Sequence, residues 1–182
     1  MKSKTLQKMV TSAVLSALAV ILTWAEIQLG ALGGSINFVM LPLIIIAWRY
    51  GVLWGIGSGL IVGFIKCLIG GGIGWGLPSI LLDYVLAYGA VGLAGLFKNH
   101  KWGLEIGAVV GCIARFIIHF ISGITIYAIV SAETVLGVTT ANAYVYSLLY
   151  NGLYMVPSSV VVIILAIILK KPLKKYFARK GA

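Results

Sequence analysis

Six stretches of almost uninterrupted apolar residues divide this chain, and short glycine-rich or polar segments separate them. The stretches cover about residues 9–29, 37–48, 52–69, 78–97, 104–130 and 144–169. A helix needs roughly 20 apolar residues to cross the hydrocarbon core of a bilayer. The pattern therefore predicts an all-α integral membrane protein, with six transmembrane helices in a single domain spanning residues 1–182.

The second stretch is too short to cross a bilayer. Residues 37–48 would rise only about 18 Å as an α-helix, whereas the hydrocarbon core is about 30 Å thick. We therefore predict a short or partly inserted second helix.

The composition excludes a soluble protein. Hydrophobic residues make up 61% of the chain and charged residues only 10%, against roughly 25% charged residues in an average soluble domain. Six spans leave about 60 residues for loops and tails, which is too few for a separate catalytic domain. Cys67 and Cys112 lie in apolar stretches without metal-ligand spacing, so neither a disulfide framework nor a metal site is expected.

The basic residues that flank the spans all fall on one side of the predicted membrane. They are Lys2, Lys4, Lys8, Arg49, Lys98, Lys101, Lys170, Lys171, Lys174, Lys175, Arg179 and Lys180. The loops on the opposite side, at about 30–36, 70–77 and 131–143, contain no Lys or Arg. Because positive residues are retained in the cytoplasm, we predict a multi-pass protein with both termini in the cytoplasm.

Four ionisable residues lie inside the predicted spans: Lys66, Asp83, Arg115 and His119. A charge at the centre of a bilayer costs about 2.5–3.5 kcal/mol on the insertion scale, so such residues usually pair or line a cavity. The predicted topology puts Lys66 near the outer end of helix 3 and Asp83 about two turns deep in helix 4. These depths allow them to meet the polar residues of helix 5.

Helix 5 carries a polar stripe, since Arg115, His119, Gly123 and Tyr127 recur every four residues. The outer end of helix 6 adds Tyr146 and Asn151 among other tyrosines, and Trp75 lies between glycines in the preceding outer region. An aromatic-lined cleft of this kind suits a small, flat, polar molecule.

Each of these residues also has a purely structural interpretation. Tyrosine and tryptophan concentrate at membrane interfaces regardless of function. His119 alone could be a packing residue, and Asp83 with Arg115 could be an ion pair that only fixes helix packing. The prediction of a site rests on the convergence of these residues.

Three sequence strings resemble a known family. They are Leu82-Asp83-Tyr84 in helix 4, Arg115-Phe116-x-x-His119-Phe120-x-x-Gly123 in helix 5 and Tyr146-Ser147-Leu148-x-x-Asn151-Gly152 in helix 6. Over nearly its whole length the chain resembles the S-components of energy-coupling-factor vitamin transporters, and within them the thiamine-binding branch. The resemblance implies six helices, an outward-opening vitamin pocket, and a membrane coupling subunit (T-component) driven by two ATPase subunits. It implies a binding subunit that is not itself an enzyme.

The resemblance also assigns roles to individual residues. It implies that His119, Tyr146 and Asn151 contact the vitamin, that Asp83 stands at an acidic position and Arg115 at a lysine position, and that Tyr84, Gly123 and Tyr127 form the wall. We add Trp75 and Lys66 as candidate contacts. The thiazolium ring of thiamine is a fixed cation, which a carboxylate and aromatic faces can hold. No cofactor besides the ligand is expected.

The charge count leaves the form of the ligand open. Lys66 and Arg115 with Asp83 give a formal charge of +1, which is unfavourable for a cation. Either Lys66 points away from the site, or the ligand carries negative charge, as thiamine phosphate does. A thiamine precursor or a different vitamin could also be the ligand, and the chain could instead be a stand-alone secondary transporter or channel.

Helix 1 carries Ala13-x-x-x-Ala17, a spacing of small residues that lets another helix approach closely. Packing within the same bundle would explain the spacing. With the resemblance we predict a docking surface for the coupling subunit.

Overall fold

The computed structural model describes the backbone of residues 3–28, 34–70, 72–130, 134–135, 138–139 and 142–179, and the side chains of 4–28, 34–70, 72–73, 76–125 and 142–178. Six helices cross this part of the chain: α1 Ser3–Ile21, α2 Met40–Tyr50, α3 Val52–Ile69, α4 Leu77–Phe97, α5 Gly103–Val130 and α6 Ala143–Arg179. Four of them, all except α1 and α2, are long and apolar enough to span a membrane. The predicted helical membrane architecture, with its short second helix, is confirmed.

Two short antiparallel hairpins and a short 3₁₀-helix, Gly72–Trp75, complete the described architecture. Strands β1 Ile27–Gln28 and β2 Ser35–Ile36 pair with each other, as do β3 Thr134–Val135 and β4 Val138–Thr139. Helix α4 begins as an α-helix, widens to a π-helix over Ile80–Leu86, and ends as a 3₁₀-helix over Val91–Phe97. π-helical turns are rare in proteins, and those that do occur are often found at functional sites.

Two predicted helix ends were wrong. Helix α1 ends at Ile21 rather than near residue 29; residues 22–25 form turns and bends, and Ile27–Gln28 form β1 of the first hairpin. Helix α6 continues past residue 169 to Arg179, through Pro172. Its last turns stay ordered against the protein because Phe177 is buried in the core.

Helix α2 forms the centre of the core. Every residue from Met40 to Ala47 is buried, and α1, α3, α4, α5 and α6 all pack against α2. A helix in this position is surrounded by protein rather than lipid, so its length need not match the thickness of the bilayer.

Helices α3 and α4 approach each other backbone to backbone. A Cβ atom at Gly92 would overlap the backbone of Ile56, and one at Gly63 would overlap the carbonyl group of Tyr84. Small residues permit such close approach between membrane helices. The contact at Gly63 fixes the π-helical segment of α4, which carries Asp83.

Candidate functional site

Asp83 and His119 lie side by side between α4 and α5. The Nδ1 atom of His119 is 3.0 Å from Oδ1 of Asp83, and the hydroxyl of Ser79 donates a 2.8 Å hydrogen bond to Oδ2 of Asp83. His119 is buried, whereas 20% of the Asp83 side chain is exposed. The structure thus brings into contact two of the four ionisable residues that the sequence predicted to converge.

The contact with Asp83 determines which nitrogen of His119 carries the proton. An ionised carboxylate only accepts hydrogen bonds, so Nδ1 of His119 is the donor and Nε2 of the neutral ring is an acceptor. Nε2 is buried and has no partner among the described residues. A buried acceptor without a partner is costly, and a ligand with an N–H group would satisfy it.

Helix α6 also supports His119, through Tyr154 and Asn151. The hydroxyl of Tyr154 donates a 2.6 Å hydrogen bond to Oδ1 of Asn151 and lies 3.3 Å from Nδ1 of His119. The side-chain amide of Asn151 donates to the carbonyl oxygens of His119 and Ser147, at 3.1 and 2.9 Å. Asn151 therefore joins α6 to α5 and holds the backbone of His119 in place.

Three tyrosines form an aromatic row along α6 at intervals of four residues. The rings of Tyr146 and Tyr150 stack with centroids 5.8 Å apart, and Tyr150 meets Tyr154 edge to face at 5.7 Å. Tyr154 in turn meets the ring of His119 edge to face at 5.9 Å. The row provides flat π surfaces next to the Asp83–His119 pair.

Arg115 is buried one turn below His119, with 3% of its surface exposed. Its guanidinium carbon lies 4.2 Å from the centroid of the Tyr88 ring, which stabilises the cation by cation–π attraction. The Nε and Nη1 atoms have no hydrogen-bond partner among the described residues. Arg115 and Asp83 form no direct ion pair in the described part of the chain, so Arg115 retains donors for a further acceptor.

Lys66 forms an ion pair with Glu26, which follows α1. Glu26 also accepts a 2.9 Å hydrogen bond from the hydroxyl of Ser35 in the first hairpin. Adding Glu26 to Lys66, Arg115 and Asp83 changes the formal sum from +1 to zero (two positive and two negative charges). The excess positive charge counted from the sequence is thereby removed.

The predicted wall residues have different surroundings. A Cβ atom at Gly123 would lie 2.8 Å from Nδ2 of Asn151 and would also collide with Ser147, so Gly123 is required for the close packing of α5 on α6. A Cβ atom at Gly72 would likewise collide with the ring of Tyr84, which packs against this glycine. The side chains of Trp75 and Tyr127 lie outside the described residues, so their predicted contacts are not tested.

Four site residues were missed by reasoning from the sequence: Ser79, Tyr88, Tyr154 and Glu26 as a partner of Lys66. The spacing of Tyr146, Tyr150 and Tyr154 places all three on one helix face, and this pattern could have revealed Tyr154. Ser79 precedes Asp83 by four residues, and this spacing could likewise have revealed Ser79 as a neighbour of Asp83.

Comparison with known proteins identifies the family. A family model described as "Thiamine transporter protein (Thia_YuaJ)" matches residues 9–178. The chain belongs to this family. The resemblance stated from the sequence is confirmed, and the family is one of transport proteins rather than enzymes.

Relatives within this thiamine transporter family align with most of the chain. "Thiamine transporter ThiT" of Bacillus subtilis (strain 168) is 30% identical in an alignment of 175 positions that covers 88% of this chain and 88% of the relative. The protein of the same name from Lacticaseibacillus paracasei is 26% identical over 193 residues, covering 97% of this chain and 93% of the relative. With its four spanning helices, the chain is a multi-pass membrane protein with bacterial relatives.

Solved structures share the fold. ThiT from Listeria monocytogenes has a TM-score of 0.81 at 23% identity, covering 96% of this chain and 99% of that one. A structure described as the S component of a bacterial ECF transporter has a TM-score of 0.63 at 18% identity, covering 95% and 98%. These likenesses support the arrangement of helices.

Proposed function

We propose that this chain is the high-affinity substrate-binding subunit (S-component) of an energy-coupling-factor importer, and that it captures thiamine from outside the cell. Membership of the thiamine transporter family supports the ligand class. The name of the Bacillus subtilis relative supports thiamine in particular.

The observation that carries the proposal is the Asp83–His119 pair beside the tyrosine row. The carboxylate of Asp83 offers a counter-charge to the thiazolium cation, and the π faces of the tyrosines offer cation–π attraction. The unpartnered Nε2 of His119 can accept a hydrogen bond from the amino group of the aminopyrimidine. A desolvated setting strengthens each of these interactions relative to water.

Thiamine phosphate is the second candidate ligand. The unpartnered donors of Arg115 favour it, because a guanidinium binds phosphate oxygens well. The pairing of Lys66 with Glu26 reduces the positive charge available to a phosphate, so we favour unphosphorylated thiamine.

The partners and the orientation are part of the same proposal. We propose a plasma-membrane protein of a prokaryote with both termini in the cytoplasm, following the distribution of Lys and Arg. A T-component and two ATPase subunits would supply the energy for transport.

A groove between α1 and α3 supports α1 as the docking surface. The groove has a volume of about 550 Å³, and its walls include Ala13, Ser16 and Ala17 from α1 with Leu53 and Gly57 from α3. Ala13 and Ala17 are exposed. Their small side chains therefore leave a recess on the outside of the bundle rather than a contact inside it.

Titration of the detergent-purified protein with thiamine tests the ligand. We expect saturable quenching of the tryptophan fluorescence with a Kd below about 1 µM, and no comparable response to riboflavin or biotin. Tighter binding of thiamine phosphate would favour the second candidate. Absence of any response to thiamine and its phosphate would refute the proposal.

Glu26→Gln is expected to weaken thiamine binding, because it leaves Lys66 as an uncompensated cation and repels a cationic ligand. We expect a loss of about three- to tenfold, equivalent to roughly 0.7–1.4 kcal/mol. The double variant Glu26→Gln/Lys66→Gln restores the charge balance and should recover most of the affinity. Equal losses in the single and double variants would show that the ion pair acts through loop structure rather than through charge.

A further inference from the structure

A second polar cavity lies at the end of the bundle opposite the Asp83–His119 pair. It has a volume of about 390 Å³. Three separate segments build it: the end of α2, the turn after α4, and the last turns of α6. Its polar lining residues are Arg49, Lys98, Asn99 and Lys174. By the predicted topology this end faces the cytoplasm.

The cavity gathers three cations without a carboxylate among its lining residues. The chain has only four acidic residues. Glu26 and Asp83 lie at the far end, Glu105 pairs with Lys170, and the side chain of Glu133 is outside the described part. Within the described residues, no acidic side chain therefore neutralises this cluster, and like charges brought together in this way repel one another.

Two aromatic rings hold Arg49 in place: that of Phe177, which lines the cavity, and that of the neighbouring Tyr50. Its guanidinium carbon lies 4.9 Å from the centroid of Phe177 and 5.8 Å from that of Tyr50. Its Nε atom is buried and has no hydrogen-bond partner among the described residues. A fixed guanidinium with an unused donor is suited to binding an oxyanion.

Lys98 approaches the same place over the backbone of Gly51. Gly51 has a φ of 99°, and a Cβ atom there would lie 3.1 Å from Nζ of Lys98. Glycine therefore serves both the left-handed turn between α2 and α3 and the close approach of the ammonium group. The absence of a side chain at Gly51 thus leaves room for Lys98 beside the cavity.

We propose that this cavity is a phosphate-binding site, which takes the phosphate group of a lipid headgroup or free phosphate. Arg49 would bind two phosphate oxygens, Lys98 and Lys174 would supply point charges, and the amide of Asn99 would add a donor. Trp48 and Phe177 form an apolar wall that suits the carbon atoms of a glycerophosphate. The site is separate from the proposed thiamine site, so either can be tested without the other.

The test compares two double variants of equal net charge. Lys98→Gln/Lys174→Gln removes two lining cations, whereas the control Lys171→Gln/Lys175→Gln removes two exposed lysines that do not line the cavity. Delipidated protein would be titrated with phosphatidylglycerol in mixed micelles, with phosphatidylcholine for comparison, and with inorganic phosphate. Binding would be followed by native mass spectrometry and by the shift in thermal unfolding midpoint.

We expect saturable binding of phosphatidylglycerol or of inorganic phosphate, at least about tenfold weaker in the cavity variant than in the control. The lipid arm and the phosphate arm distinguish the two sources. Equal weakening in both variants would mean a diffuse attraction of the basic surface to anions and would overturn the proposal. Absence of binding in both arms would overturn it as well.

Discussion

Asp83→Asn is expected to weaken thiamine binding at least tenfold, equivalent to about 1.4 kcal/mol or more. The substitution removes the counter-charge for the thiazolium ring. It also replaces one acceptor oxygen by an amide that donates hydrogen bonds, next to Nδ1 of His119 or the hydroxyl of Ser79. Fluorescence titration measures the affinity, and thermal unfolding in detergent checks that the variant is folded.

Ser79→Ala is the matched control for this experiment. It removes one hydrogen bond to Asp83 but keeps the charge of the carboxylate, so we expect a smaller loss of affinity than in Asp83→Asn. Unchanged thiamine affinity in a folded Asp83→Asn protein would remove Asp83 from the site.

Ala13→Trp is expected to abolish thiamine uptake, which we define as a reduction of at least about tenfold. Thiamine binding should remain intact. The indole would fill the groove between α1 and α3, whose walls include the small residues Ala13 and Ala17. The coupling subunit would then be unable to approach α1 closely. Uptake would be measured in cells that contain the complete importer, and binding would be measured on the purified variant.

Val14→Trp provides the control on the same helix. Val14 is 63% exposed and does not line the groove, so a tryptophan there should leave uptake close to the unsubstituted level. If Ala13→Trp supported normal uptake, α1 would not be the docking surface. If both variants lost uptake, the effect would belong to α1 as a whole rather than to the groove.

The sequence predicted the parts of the structure that depend on burial and helical spacing. Long apolar stretches identified the helices. The four-residue spacing placed Arg115 and His119 on one face of α5, and the cost of buried charge implied that Asp83 would have a partner. The Asp83–His119 contact agrees with these considerations, although the ion-pair partner considered from the sequence was Arg115, which forms no ion pair with Asp83 among the described residues.

Other features could not be obtained in this way. The residues around Glu26 are apolar enough to continue a helix, and hydrophobicity alone does not distinguish a helix from the strand that forms there. The partner of Lys66 was therefore missed. Tyr154 resembles an interfacial tyrosine in sequence, and only the packing of α6 against α5 reveals its contact with His119.

The first hairpin and His119 are connected by a continuous series of polar contacts. The side-chain amide of Asn37 donates a hydrogen bond to the hydroxyl of Ser35. The backbone N–H of Asn37 donates a 3.2 Å hydrogen bond to the hydroxyl of Ser158. That hydroxyl in turn donates a hydrogen bond to the carbonyl oxygen of Tyr154. Tyr154 then lies beside His119.

Thermodynamic linkage makes such a connection reciprocal. A ligand that stabilises His119 in its present position also stabilises the hairpin, and a force that displaces the hairpin lowers the affinity of the site by the same free energy. The affinity of the site thus depends partly on hydrogen bonds that never touch the ligand.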